Sequence, residues 1–443
     1  MSRDFSSKNN RKKLLGLSVA SLLMTTQLVT AQVAMAETVR QAMSYAYANS
    51  PQIMLEREKL KLSDEGIITA QAGLFPSLNG ELSLESSWSK AYTEAAGWLD
   101  AQDATGVSAG LSANYTLWDN GITQNRIAQA EIGKAAQIDA FANAEQTFLL
   151  SVFTIYVDVL RDSALLNAQI KNFNVLSEQQ KASEARFQVG EATATDVSLA
   201  KARKAGASSS IAAAKAQLDS SRAIYEQYVG HKPRDIRQPE QIGSLLPQTL
   251  SAALIAVENN HPAIKSLKKA VLVAEKAVNI ANAGLYPTAT AFGSASQQIS
   301  IDGTAAQTSL RVGATLSIPI FNGGIKTSQI RQEKIGLAQA RLNLTVTRAQ
   351  MRANVKARWA SLLAAKTSSG AADAQIRASS AVLNGIRAEA DEGVRTSFDV
   401  LNSEQELLSA RVQSIVSQRG VLVSQMQLLS AIGHLSAVKL GVN

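Results

Sequence analysis

The sequence predicts a mixed α and β membrane protein in which long helices, arranged as a coiled-coil tunnel, continue into a transmembrane β-barrel. Three observations carry that fold class. The chain is written twice, each copy contains two amphipathic segments with a period of two, and each copy contains a proline-free helical stretch of 68 residues.

The duplication shows in short signals. AGLFP at Ala72 to Pro76 returns as AGLYP at Ala283 to Pro287, 211 positions on, and Thr38 to Pro51 aligns with Thr249 to Pro262 at the same displacement. Beyond that the displacement is 203: Trp118-Asp119-Asn120-Gly121 matches Phe321-Asn322-Gly323-Gly324, Gly190 to Val197 matches Gly393 to Val400, and Gly230 matches Gly433. The copies run from 37 to 230 and from 249 to 433, joined by 231–248 and followed by a tail, 434–443. The length difference of eight falls between the pentapeptide and the second signal, where surface loops tolerate insertion and packed helices do not.

Taken in order, residues 1–36 have the layout of a secretory signal. Lys8, Arg11, Lys12 and Lys13 are basic, Leu14 to Met24 is an apolar run too short to span a bilayer, and Ala34-Met35-Ala36 is an A-x-A cleavage site. The mature chain is expected to begin at Glu37. Removing the leader takes away five Lys/Arg and one Asp, lowering the formal charge from +8 to +4. With that near balance and no basic block interleaved with aromatics, no nucleic-acid partner is expected. No later stretch has 18 consecutive apolar residues, so the exported chain is either soluble or enters the outer membrane as strands.

Ser50-Pro51 and His261-Pro262 divide two helical pieces, since proline suits the first turn of a helix. The second piece stops at Gly73 and Gly284, which makes Pro76 and Pro287 helix-to-strand junctions. From there the period becomes two. Leu78, Leu82, Leu84 and Trp88 oppose Asn79, Glu81, Ser83 and Glu85, and Val107, Ala109, Leu111, Ala113, Tyr115 and Leu117 oppose serines, glycine, asparagine and threonine. In the second copy Val312, Ala314, Leu316, Ile318 and Ile320 alternate in the same way. Such segments of about ten residues are the pattern of transmembrane strands, here two hairpins at about 77–118 and 288–321.

Gly121 and Gly324 mark the turns back into helix. The stretches from Ile122 to Val189 and from Ile325 to Glu392 would each span about 100 Å at 1.5 Å per residue. Val152, Tyr156, Val159, Ser163, Leu166, Ile170 and Phe173 keep the 4-3 spacing of a coiled-coil seam. The helical hairpins turn near Gly190 and Gly393 and return from Asp196 to Val229 and from Asp399 to Ile432. Leu401, Leu408, Ile415, Leu422 and Leu429 fall seven apart, with Val412, Arg419 and Met426 between. The connector 231–248 holds three of the eight prolines and is expected at mid-height of the tunnel.

The chain has no cysteine, and His231, His261 and His434 have no metal-ligand spacing. With no phosphate loop or nucleophile elbow either, no catalytic centre, metal or cofactor is expected. Four strands cannot close a barrel, because the smallest have eight, and an open sheet edge in hydrocarbon leaves polar groups unsatisfied. The chain is therefore expected to oligomerise.

These residues resemble the TolC-like outer-membrane efflux and secretion channels. The resemblance covers nearly all of the mature chain, and its carriers are N-S-P/N-H-P, A-G-L-[FY]-P, W-D-N-G/F-N-G-G and G-x-x-x-x-x-D-V. It implies a homotrimer in the outer membrane of a Gram-negative bacterium, each protomer giving four strands to a 12-stranded barrel and its helices to a periplasmic tunnel. The implied role is a passive exit duct for drugs, small toxic compounds or type I secreted proteins. An inner-membrane pump, an antiporter or an ABC exporter, feeds it through a periplasmic adaptor that docks at the tips, here Gly190, Glu191, Gly393 and Val394.

Carried onto this chain, the family's entrance latch is Arg395 facing Thr195 and Asp196, and its selectivity ring is Asp399. Asn402 stands where a second ring aspartate would be and Ala390 where a tyrosine adds to the latch, which implies a single carboxylate ring and a weaker latch. Asp196 and Asp399 equally suit the plain role of capping the return helices. A coiled-coil periplasmic scaffold or surface adhesin is the alternative; it accounts for the heptads and the leader but not for hairpins at matched sites in both copies.

Overall fold

A computed structural model describes residues 36–100, 102–239, 245–301, 303 and 305–442. The expected signal segment, apart from Ala36, and the middle of the connector lie outside the described residues. The elements in chain order are α1 (Val39–Asn49), α2 (Pro51–Ala72), β1 (Ser77–Ser89), the short β2 (Tyr92–Thr93) and β3 (Gly97–Trp98), β4 (Gln102–Trp118), α3 (Ile122–Gln188) and α4 (Ala194–Val229). The second half continues as α5 (Leu250–Asn260), α6 (Pro262–Ala283), β5 (Thr288–Ser300), β6 (Ala306–Ser317), α7 (Ile325–Asp391), α8 (Ser397–Ala431) and the single turn α9 (Ala437–Leu440). The small β2–β3 hairpin extends the first strand pair beyond the length of the second, where the eight-residue difference falls.

The helix boundaries follow from their caps. Pro51 and Pro262 open α2 and α6, and the N-cap in front of each supplies an acceptor: Ser50 Oγ takes the Gln52 N–H and His261 Nδ1 takes the Ala263 N–H, both at 3.2 Å. α3 and α7 start from glycines in left-handed conformation, Gly121 at φ 82° and Gly324 at φ 84°. In the first copy Asp119 supplies the missing acceptors, Oδ2 to the Thr123 N–H at 2.7 Å and Oδ1 to the Gly121 N–H at 3.1 Å. Pro76 and Pro287 each stand one residue before a strand, where the lack of an N–H is harmless.

The four long strands form one antiparallel sheet in the order β1-β4-β5-β6. Its register carries the period of two across all four. Leu82 faces Ala109 and Leu84 faces Val107; Val107 in turn faces Ile299, and Gly293 faces Val312. One face therefore presents Leu78, Leu82, Leu84, Val107, Leu111, Ile299, Leu310, Val312 and Leu316, all solvent-exposed in a single protomer. The other face is polar, with hydroxyl pairs Ser83–Ser108 and Ser296–Ser309 at 2.7 and 2.8 Å. Phe292 on that face covers Gly313, where an added Cβ would stand 2.8 Å from the ring. The strand expected to run to 321 stops at Ser317. Pro319 cannot donate to the ladder, so Ile318 and Ile320 leave the sheet despite their alternation.

The helices pack along α3. Near the sheet its partner is α6, with Ser266 Oγ and Lys269 Nζ donating to the carbonyls of Ala136 and Ala135. Farther on it meets α4 and α8. Asp162, almost fully buried, accepts from Ser221 of α4 and from Arg161, while Arg419 of α8 grips both carboxylate oxygens of Asp158 at 2.8 and 3.2 Å. Arg419 sits among the heptad positions of α8, and this bidentate pair satisfies it there.

The main core lies midway, where both repeats begin and end: Leu149, Val152, Phe153 and Tyr156 of α3 meet Tyr225, Val257, Ile264, Met426, Leu429 and Ile432. The start of the connector is tied to the same belt. The Arg237 N–H donates to Glu37 O at 3.1 Å, the Tyr156 hydroxyl shares its proton between the carbonyls of Arg237 and Glu37, and His231 Nε2 lies 3.3 Å from Glu37 Oε1.

Candidate functional site

The two helical hairpins end in closely similar tips. At the first, Gly190 at φ 82° closes α3 and the Glu191 N–H reaches back to Arg186 O at 2.8 Å. At the second, Gly393 at φ 78° closes α7 and the Val394 N–H reaches Glu389 O at 2.8 Å. Both are helix C-terminal closures that need a left-handed residue, which glycine adopts without strain. Glu191, Gly393 and Val394 are exposed, and Phe187, Val189 and Phe398 add exposed apolar surface that sequence reasoning did not single out.

The return helices start two residues before the expected aspartates, because a threonine takes the cap. Thr193 is the N-cap of α4 and Thr396 of α8, with Asp196 and Asp399 at the third helical position of a capping box. Asp196 Oδ2 accepts from the Thr193 N–H at 2.9 Å and from its hydroxyl at 2.7 Å. Asp399 Oδ2 accepts from the Thr396 hydroxyl at 2.8 Å and N–H at 3.1 Å. These bonds hold both carboxyls below the usual carboxylate range, and Arg395 adds to the effect at Asp399. Both are ionised at neutral pH.

Within one protomer Arg395 does not meet Thr195 or Asp196. Its Nε donates to Glu389 Oε2 at 2.8 Å, and that carboxylate raises the arginine's pKa further. Asn402, one turn along α8 from Asp399, accepts from Arg203 Nη2 of α4 at 3.3 Å. Arg387 of α7 pairs with Glu404 of α8. Glu389, Arg203 and Glu404 were not anticipated. A heptad pattern shows which face of a helix is apolar but not which polar groups meet across 199 residues.

Next to the tips, α3, α7 and α8 border an open cleft of about 640 Å³ lined by Asn174, Glu178, Arg186, Arg387, Asp391 and Ser397 among others. Among the described residues no cluster of His, Asp or Glu has a metal-binding arrangement, and no helix is long and apolar enough to cross a membrane.

Comparison with known proteins agrees with this architecture. The family model described as outer membrane efflux protein matches residues 42–231 and 254–434, one segment per repeat. The chain is 32% identical over 429 residues to outer membrane efflux protein BepC of Brucella suis, covering 96% of this chain and 92% of that protein. It is 23% identical over 440 residues to outer membrane protein TolC of Escherichia coli, covering 96% and 86%. Among solved structures, VceC of Vibrio cholerae superposes with a TM-score of 0.74 at 18% identity, covering 89% of this chain and 96% of that one. The CmeC channel of Campylobacter jejuni gives 0.76 at 15%, covering 89% and 85%.

Proposed function

The chain belongs to the outer membrane efflux protein family, and we propose that three copies join their sheets edge to edge into one 12-stranded exit duct for drugs, small toxic compounds or type I secreted proteins. It is an export channel protein of the Gram-negative outer membrane, with a large periplasmic helical portion. The observation that carries the oligomer is the sheet: its apolar face is continuous over four strands, and β1 and β6 each have a sheet partner on one side only among the described residues. In hydrocarbon a free edge costs several kcal/mol per unsatisfied group, and pairing β1 with β6 of the next copy removes both edges.

The helical tips are the entrance and the docking end. A periplasmic adaptor engages Gly190, Glu191, Gly393 and Val394 and connects the duct to an inner-membrane pump, which supplies the energy, so the chain itself performs no catalysis. Three Asp399 carboxylates ring the entrance and attract cations, with Asn402 one turn deeper contributing no charge. Arg395 latches the entrance shut by reaching Thr195 and Asp196 across the tips. The capping role of Asp399 is compatible with this, because its bonds to Thr396 run through Oδ2.

Planar-bilayer recording of the purified protein tests the assignment. Asp399→Ala raises cation conductance and relieves block by multivalent cations, and Arg395→Ala raises single-channel conductance. Unchanged block in the first removes Asp399 from the constriction, and wild-type conductance in the second removes Arg395 from the latch.

A further inference from the structure

We propose that Glu389 is a working part of the entrance: it holds Arg395 on its own hairpin and so opposes the latch. Resting on the gate assigned above, this names what regulates it.

The pair is built into the turn. Because Gly393 is left-handed, the N–H groups of Val394 and Arg395 both point at Glu389 O, at 2.8 and 3.3 Å. The backbones of residues 389 and 395 are thereby fixed against each other before either side chain is placed. Two long side chains that start adjacent lose less freedom on pairing than two brought together from separate helices. The first tip has the same closure, with the Glu191 N–H on Arg186 O, but its equivalent positions are Arg186 and Ala192. The same turn thus carries an ion pair in one hairpin only, the one that also carries the latch arginine.

Arg395 therefore has two possible acceptors. Glu389 is present whatever the position of the neighbouring hairpin and holds Nε at 2.8 Å. Asp196 is bound to Thr193 through Oδ2 alone, so Oδ1 is free to receive a guanidinium, but only when another hairpin brings it within reach. Glu389 is exposed and Asp196 is only partly covered, so the difference between the two acceptors is small and adjustable, as a gate requires. Asp399, whose field also acts on Arg395, lies on the same hairpin as Glu389 and adds to the pull away from Asp196.

The test is a double-mutant cycle on the purified full-length protein in planar bilayers, at about 0.1 M and 1 M salt. Glu389→Gln keeps the turn and the side-chain size while removing the charge. It is expected to lower the ratio of open to closed time about two- to five-fold at low salt, the range an exposed ion pair supports, and less at 1 M, where charges are screened beyond about 3 Å. Glu389→Asp keeps part of the effect, and in an Arg395→Ala background Glu389→Gln changes nothing. Wild-type gating in Glu389→Gln while Arg395→Ala alters gating overturns the inference and leaves the latch standing. A rise in open time, or the same effect with and without Arg395, overturns it too. If Arg395→Ala itself leaves gating unchanged, the latch fails and the role of Glu389 falls with it.

Discussion

Replacing Gly433 with alanine separates a position that needs glycine for space from one that needs it only for conformation. Gly433 follows α8 at φ 75°, and a Cβ there would stand 2.6 Å from His261 Cα, 2.8 Å from His261 N and 2.9 Å from Asn260 C. All three are backbone atoms at the α5–α6 boundary, so no side-chain rotation relieves the clash. Left-handed strain of about 1 kcal/mol and overpacking of about 2 kcal/mol together give a loss of about 3 kcal/mol. Gly230 is the equivalent residue of the first repeat, at φ 98°, but its Cβ would meet only the Tyr45 ring at 3.4 Å. Gly230→Ala therefore costs about 1 kcal/mol, the conformational part alone. Gly385, inside α7 with nothing within 4 Å, is the control, and its alanine variant gains up to about 1 kcal/mol. Thermal unfolding of the detergent-solubilised protein, followed by circular dichroism at 222 nm, ranks them. The expected order of melting temperature is Gly433→Ala, Gly230→Ala, wild type, Gly385→Ala. If Gly433→Ala melts with or above Gly230→Ala, the close packing of the two repeat ends is wrong.

Three further outcomes follow from the periplasmic portion. Asp158→Ala strips partners from both Arg419 and Arg161 and is expected to cost about 2 kcal/mol in a urea titration, whereas Arg419→Met, an apolar fit to the seam, costs less; equal losses would mean that the network adds nothing beyond packing. Asp119→Ala removes the acceptor for the first turn of α3 and loses about 1 kcal/mol, checked in the same titration against an exposed control substitution. Burial lowers the pKa of His261 and His434, so the fold favours their neutral forms. Their contribution is full above the ordinary histidine value of about 6.5 and is lost as pH falls below it. Burial raises the pKa of Glu145, which acts in the opposite sense: its contribution is full below the ordinary carboxylate range and is lost as pH rises above that range. His261→Ser, which copies the Ser50 cap of the first repeat, is expected to flatten the stability profile below about pH 6.5; an unchanged slope would take His261 out of it.

Much of the fold was legible because glycine and proline act locally. Pro51, Pro262, Gly121 and Gly324 have the same effect in both copies whatever surrounds them, so the duplication marked helix starts, strand starts and hairpin ends. The strand faces were legible for a related reason: a period of two survives any register that keeps one face in lipid, and the observed pairing carries it from Leu84 through Val107 and Ile299. Extrapolation failed where one residue overrode the pattern, as when Pro319 ended β6 beneath two further alternating isoleucines. The tips were harder. Thr193 and Thr396 took the caps because a capping box reads forward from a threonine to an acid three residues on, so each helix began before its aspartate. The partner of Arg395 lay six residues back across a turn, and that of Asn402 on another hairpin; spacing along a single helix reveals neither.

The edge-to-edge trimer is tested most directly by disulfide crosslinking between β1 and β6. The chain has no cysteine of its own, so introduced thiols are the only ones present. In one protomer β4 and β5 lie between these strands, which separates them by about 14 Å at 4.8 Å per strand, beyond the roughly 7 Å a disulfide spans. Ser83→Cys on the polar face of β1 is combined in turn with cysteine at Gln307, Ser309 or Arg311 on the polar face of β6, oxidised in outer-membrane fractions and run on denaturing gels. The edge-to-edge trimer gives covalent dimers and trimers at one register and nothing larger than three. Monomers at every register, or a ladder extending past three, would contradict it.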